Sequence, residues 1–148
     1  MAYRDTVGVI FPILAHHLRR IFDDQKRVFV KFIGRELSPG RLHSGSRLFF
    51  YQSGSSKEVV GEARIVGIAA GTVEEVLAKH GKDLFLTPTE LETYAGNRKA
   101  KRMLILILED AKRYQVPLKL DKGLTMAGQY MTKTMYDDLR ARNVARIG

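Results

Sequence analysis

The stretch FFYQSGSSKEVVGEARIVG, Phe49 to Gly67, decides how this chain is read. An apolar run stops at a corner of glutamine, serine and glycine, and a second run follows. Val59, Gly61, Ala63, Ile65 and Gly67 alternate with Val60, Glu62, Arg64, Val66 and Ile68, the period of two that marks a strand. The first of these faces is small and apolar. That suits a tightly curved sheet, because glycine lets a strand bend and a neighbour come close. Leu48 to Tyr51 and Val59 to Ala69 are therefore expected as two strands joined by the corner. Chemistry alone reads the corner as a hairpin loop, for which serine and glycine are ordinary. It also holds groups able to meet a base. Gln52, Ser53, Ser55 and Ser56 hydrogen-bond, Gly54 permits close approach, and Phe49 and Tyr51 carry rings.

Upstream, the apolar stretch Val7 to Phe11 meets Pro12, which suits a first helical turn. Leu14, Leu18 and Ile21 then share a helix face. After a polar turn ending at Lys26, the β-branched and aromatic run Arg27 to Ile33 reads as a strand, and Gly34 to Ser46 as loop. Downstream, Thr72 with Glu75 makes a capping box for a helix over Val73 to His80 that Gly81 ends. Thr87-Pro88-Thr89-Glu90 opens another helix, reaching Tyr94. Met103 to Leu108 reads as a strand buried on both faces. Tyr114 to Leu120, interrupted by Pro117, reads as an edge strand or strand end. Thr134 is expected to cap a last helix, Met135 to Arg142, with Leu139 on its apolar side. These elements give a single α+β domain over residues 1–148, mostly sheet.

Composition narrows the function classes. The 148 residues are 45% hydrophobic, enough for one packed core. There is no cysteine, which excludes a disulfide framework, a thiolate zinc site and a cysteine nucleophile. The longest apolar run, Met103 to Leu108, is far short of the ~20 residues that span a bilayer. Arg4 and Asp5 precede a run that soon meets His16, His17, Arg19 and Arg20, which is no signal-peptide layout. A cytoplasmic location and no membrane partner are expected. The net charge of +9 and pI near 9.9 attract phosphates and favour a nucleic-acid partner. A protein from an organism whose proteins run basic would look the same.

Among motifs, the phosphate loop, the dinucleotide-binding glycine turn and the nucleophile elbow are all missing. Adjacent His16 and His17 are expected on different sides of their helix with no acid at ligand spacing, so neither metal nor cofactor is expected. Arg98, Lys99, Lys101 and Arg102 form a run without an acid, leading into the most apolar strand. It is either a rigidly held phosphate-contacting patch or a solvated loop. Lys31 alternates with Phe29 and Ile33, and so either snorkels to the surface or lines a pocket.

GSRLFFYQSG, Gly45 to Gly54, followed by VVGEARI, Val59 to Ile65, resembles the PUA-like group that includes the EVE, ASCH and YTH families. EVE members share the glycine turn, the strand ending in Phe-Tyr with a polar residue and serine, and the next strand opening Val-Gly. YQVPLKL, Tyr114 to Leu120, is similar to the group's aromatic-x-x-Pro strand. The first helix, its turn and Lys26 resemble the opening of ASCH domains. Taken together, the chain most resembles the DUF365 family, mainly archaeal proteins of uncharacterised function. The resemblance implies a small bent β-barrel with peripheral helices. It also implies RNA binding, of a tRNA or rRNA left unspecified, or recognition of a modified nucleotide beside the barrel. Tyr51, Gln52, Ser53 and Gly54 would then lie at the base pocket, with Lys31, Arg98, Lys99, Lys101 and Arg102 as its cationic surroundings. The chain departs from the group in having no tryptophan, hence no YTH-type cage, and no lysine in Val7 to Phe11. An ASCH-like amidohydrolase acting on an acylated nucleoside is the alternative. It would use Lys26 and the carboxylate of Glu62, although Phe29 stands where the hydrolytic members have threonine. The alternation places Glu62 outward, with Arg64.

Overall fold

The structure is a computed structural model that describes residues 6–32, 42–54, 57–120, 124 and 128–147, without the side chains of 144–147. In chain order the elements are β1 (Thr6–Leu14), α1 (Ala15–Phe22), β2 (Val28–Lys31), β3 (Arg47–Ser53) and β4 (Glu58–Gly71). There follow α2 (Val73–His80), α3 (Pro88–Ala95), β5 (Met103–Lys119), β6 (Gln129–Thr132) and α4 (Lys133–Ile147). The strands form one mixed sheet in the order β2-β5-β4-β3-β1-β6. β1 runs parallel to β3, and the other pairs are antiparallel.

Although β2 and β6 remain edges, the sheet is strongly bent. β2 and β1 are four strand spacings apart in the order, which a flat sheet would hold about 19 Å apart. Phe11 of β1 nevertheless stacks on Phe29 of β2 with ring centroids 5.7 Å apart. The small residues of β4 make this curvature possible. A Cβ on Gly61 would sit 2.5 Å from the Lys112 carbonyl oxygen and 2.6 Å from the Phe22 ring. On β1, a Cβ on Gly8 would sit 1.9 Å from the Arg47 carbonyl oxygen.

The sheet is covered on both faces. Val9, Phe11, Leu48, Phe50, Ala63 and Ile65 join β2, β5 and helices α1 to α3 in the main core. Ile10, Phe49, Tyr51, Val59, Leu118 and Met131 form a second core with Leu139 of α4. From Val9 onward the alternation of β1, like that of β3, divides cleanly between the two. That of β4 does not, and here the sequence reading is corrected. Phe50 pairs with Gly61 and Tyr51 with Val59, so Val60 is an inserted bulge residue. Val59 is thereby turned to the second core, while Ala63 and Ile65 face the main one.

Three further expectations change. Pro12 lies inside β1 rather than in a helical turn, which is tolerable because β6 pairs with β1 no further than Ile10. Met103 to Leu108 and the Pro117 segment are one strand, β5, whose second half is unpaired on the side away from β4. There the Asn143 carboxamide oxygen accepts from Gln115 N and Val116 N at 3.1 Å each, which satisfies the edge with a side chain of α4. Thr132, not Thr134, caps α4: its Oγ1 accepts from Met135 N at 3.2 Å. The Thr72/Glu75 capping box forms as the sequence suggested, and a second one, Thr87/Glu90, starts the helix expected there. Strand β6 carries no periodic signal in the sequence. Among the described residues no helix is long and apolar enough to cross a membrane.

Candidate functional site

Where the curled sheet brings β1 towards β2, a cavity of about 280 Å³ opens. Pro12, Ile13 and Leu14 supply one side and Phe29, Val30 and Lys31 the other. Ser53 closes the end of β3, and His17, Phe85, Leu86, Glu90 and Tyr94 complete the wall. The interior is aromatic. Phe29 and Phe85 lie 4.9 Å apart between centroids, and His17 meets Phe85 edge-on at 5.7 Å. Leu14, 46% exposed, stands at the rim.

Lys31 is the unusual member. It is only 7% exposed, and its Nζ sits 5.3 Å from the centroid of the Phe11 ring. Among the described residues no carboxylate or hydrogen-bond acceptor reaches that ammonium. Burial, and secondarily the charge of Arg98, lower its pKa from the usual lysine range. Of the two fates open to it in the sequence, Lys31 lines a pocket. Arg98 packs its guanidinium over Phe32 at 4.1 Å and Tyr94 at 5.6 Å, and donates to the Tyr94 carbonyl at 3.0 Å. The Tyr94 hydroxyl accepts from Phe32 N at 2.8 Å, tying α3 to the end of β2.

Glu90 organises the opposite wall. Its Oε1 accepts from Thr87 N at 2.8 Å within the capping box, and the same carboxylate forms a bidentate pair with Arg20, Nη1 to Oε1 and Nη2 to Oε2. Arg20 holds its pKa down at about 2, helped by the Thr87 amide. His17 Nε2 lies 3.4 Å and His16 Nε2 3.9 Å from Glu90 Oε2. Burial and the neighbouring His16 lower the His17 pKa against the pull of Glu90. The two imidazoles do not diverge as expected: their centroids are 4.1 Å apart. The acid that the sequence lacked at ligand spacing arrives from α3.

The other sequence candidates are spread more widely. Tyr51 is 4% exposed in the second core, and Phe49 is fully buried there, so neither ring is open for stacking. Gln52 pairs in register with Ile13 and Glu58, Ser53 reaches the cavity, and Gly54 turns at φ +91°. Ser55 and Ser56 lie outside the described residues. Within the basic run, Lys99 is 3.6 Å from Glu92, while Arg102 donates to the Ala70 carbonyl at 2.7 Å and pairs with Glu75 at 3.3 Å. Lys101 is exposed.

Lys26 and Glu62, the pair of the hydrolase alternative, are joined by no hydrogen bond or ion pair among the described residues. Lys26 Nζ donates to the Lys82 carbonyl at 2.6 Å. Glu62, expected to face outward, is 2% exposed beneath α4. It accepts from Arg47 at 2.7 Å, Tyr114 at 2.8 Å and Tyr136 at 3.3 Å. It does share the side of β4 that Arg64 occupies, but α4 covers Glu62 and leaves Arg64 in solvent with Glu109. Sequence reasoning missed His17, Phe85, Glu90 and Tyr94 as cavity residues. The segment Thr87 to Glu90 was expected to open a helix, but nothing in it singled out Glu90.

The family model of the domain of unknown function DUF365 matches residues 6–133. The chain belongs to the DUF365 family. An uncharacterised protein of Methanocaldococcus jannaschii is 24% identical over 103 residues, 63% of this chain and 95% of its own length. Among solved structures, the ASCH protein of Zymomonas mobilis is similar at a TM-score of 0.75 and 17% identity, over 91% of this chain and 94% of that one. The N-terminal domain of Staphylothermus marinus McrB is similar at a TM-score of 0.52 and 15% identity, covering 91% and 92%. At these identities the likeness is one of fold, and the bent, helix-covered sheet of this DUF365 protein is the PUA-like architecture.

Proposed function

We propose that this DUF365 protein acts as a single PUA-like unit that binds RNA and takes one unstacked, modified base into the β1–β2 cavity. The observation that carries this reading is Lys31: a buried cation with no acceptor among the described residues, in a cavity walled mostly by aromatic and aliphatic groups. A base supplies what that site lacks. Its ring fits among the apolar groups of the wall, and a carbonyl or ring nitrogen accepts from the Lys31 ammonium. The volume is near the lower end of the ~300–1,000 Å³ found for small-molecule sites, which suits one base rather than an extended ligand. Ser53 offers a further hydrogen bond, with Gln52 and Gly54 beside it on the strand and turn. Arg98, Lys99, Lys101 and Arg102 provide cationic contact for the flanking phosphates, and the +9 charge supports a polyanionic partner.

The test is fluorescence anisotropy against labelled tRNA and single-stranded RNA at two salt concentrations. Binding is expected to weaken steeply with salt. Lys101→Ala combined with Arg102→Ala should weaken every RNA alike and reduce the salt slope by about 2. Lys31→Met should leave that electrostatic part intact and reduce discrimination between bases about tenfold. Absence of binding at low salt rejects the RNA reading. Binding whose base preference ignores Lys31→Met rejects the cavity as the base site.

A further inference from the structure

We infer that His16, His17 and Glu90 form a three-ligand binding site for a zinc-like divalent cation on the rim of the cavity. The inference rests on the convergence of two elements and does not require the RNA reading. His16 and His17 come from α1 and Glu90 from α3, and the three ligand atoms lie within 4.8 Å of one another. A tetrahedral ion with bonds of 2.0–2.1 Å holds its ligand atoms about 3.3 Å apart. The observed 3.4 Å from His17 Nε2 to Glu90 Oε2 meets that spacing, and the 3.9 Å from His16 Nε2 needs only a small ring adjustment.

The donor set selects the metal. Two imidazole nitrogens and one carboxylate oxygen suit zinc and its transition-metal neighbours, whereas magnesium and calcium favour oxygen alone. Three protein ligands leave a fourth position open, as in metal sites that hold water or a ligand. His17 and Glu90 also line the cavity, so the site borders it. The fourth ligand would be water, or an acceptor atom of whatever occupies the cavity. Neutral imidazole is the form of histidine that ligates.

Arg20 is the competing cation. Its bidentate grip holds both Glu90 oxygens, but Oε1 also serves Thr87 N, so the 3.2 Å contact from Nη2 to Oε2 is the one a metal would displace. The guanidinium that remains on Oε1 repels a dication, which sets the affinity below that of closed structural zinc sites. The same pair fixes the carboxylate in place on α3.

Isothermal titration of the full chain with zinc chloride, without RNA, tests the site. One equivalent is expected to bind, with magnesium chloride giving no heat under the same conditions. His16→Ala, at an exposed position and clear of the Arg20 pair, should weaken zinc about tenfold, and His16→Ala with His17→Ala should abolish it. Circular dichroism confirms that both variants are folded. No zinc binding by the unaltered protein, or binding unchanged in the double variant, overturns the site. The latter result would assign the ion to His43 or His80 instead. RNA binding measured in parallel with a chelator separates a failure of this site from a failure of the RNA reading.

Discussion

Two charged side chains are buried on opposite faces of the same sheet, and they are treated in opposite ways. Glu62 is 2% exposed beneath α4, with Arg47, Tyr114 and Tyr136 all directed at its oxygens. Lys31 is 7% exposed against Phe11, with no acceptor among the described residues. Desolvation of a charge is costly on either face, so the difference lies in how it is compensated. Around Glu62 the fold supplies every partner, and the network reads as structure, joining β3, β4, β5 and α4. Around Lys31 the fold supplies an aromatic wall, and among the described residues nothing uses its hydrogen-bonding capacity. An uncompensated buried charge beside a cavity is the arrangement expected of a binding group, whose missing partner comes with the ligand.

The comparison breaks most visibly if Glu62 is removed. Glu62→Ala strands a guanidinium and two hydroxyls under α4 and should destabilise the protein by about 3–5 kcal/mol, read from urea denaturation. An effect under about 1 kcal/mol would mean that water satisfies the network and that Glu62 is not structural. Tyr114→Phe removes one hydrogen bond to the same carboxylate and should cost about 1.5–3 kcal/mol.

Lys31→Met should act in the other direction, raising stability by about 1 kcal/mol while impairing base discrimination, because an apolar side chain of similar length fills the site without the desolvated charge. A loss of stability there would reveal a structural role for Lys31 and erase the contrast.

Alkaline titration sharpens the contrast through opposite slopes. The folded pKa of Lys31 lies below its unfolded value, so the unfolded chain holds more protons between the two, and stability rises with pH across that window. The advantage of Lys31→Met should therefore shrink as pH climbs towards the ordinary lysine range. Arg98 is the charge that reinforces the shift, and His17, Glu90 and Tyr94 are the other titratable groups on the cavity wall. Burial, then Glu62, raises the Tyr114 pKa, and burial raises that of Tyr136. Their contribution is complete below the unfolded tyrosine value and is lost above it, a loss that Tyr114→Phe should reduce. The smallest expected effect is that of Lys101→Ala with Arg102→Ala on stability, within about 0.5 kcal/mol, since both side chains are exposed.

How much of this was legible depends on the reach of each interaction. The capping box at Thr72/Glu75, the helix start at Thr87-Pro88 and the buried strand from Met103 were readable, because they rest on residues a few positions apart or on an unbroken apolar run. The motifs from Gly45 to Ile65 carried the family and the PUA-like fold. The orientation of Glu62 was readable only in part. Alternation put it on the Arg64 side correctly, but nothing local announced that α4 would cover one and not the other. Tyr51 was assigned to the site by its neighbourhood in sequence, and it turns away because adjacent strand residues face opposite sides of a sheet.

The sequence by itself determined most of the elements, the family, the basic charge and the small residues that let β4 curve. These follow from local geometry and composition. Only the tertiary structure decided that β1 and β2, four strands apart in the sheet, close on a cavity, that Lys31 is sealed into it, and that Glu90 meets Arg20, His16 and His17. Those placements depend on the curl of the sheet and on the bulge at Val60. Both arise from packing between segments distant in the chain, which no local pattern encodes.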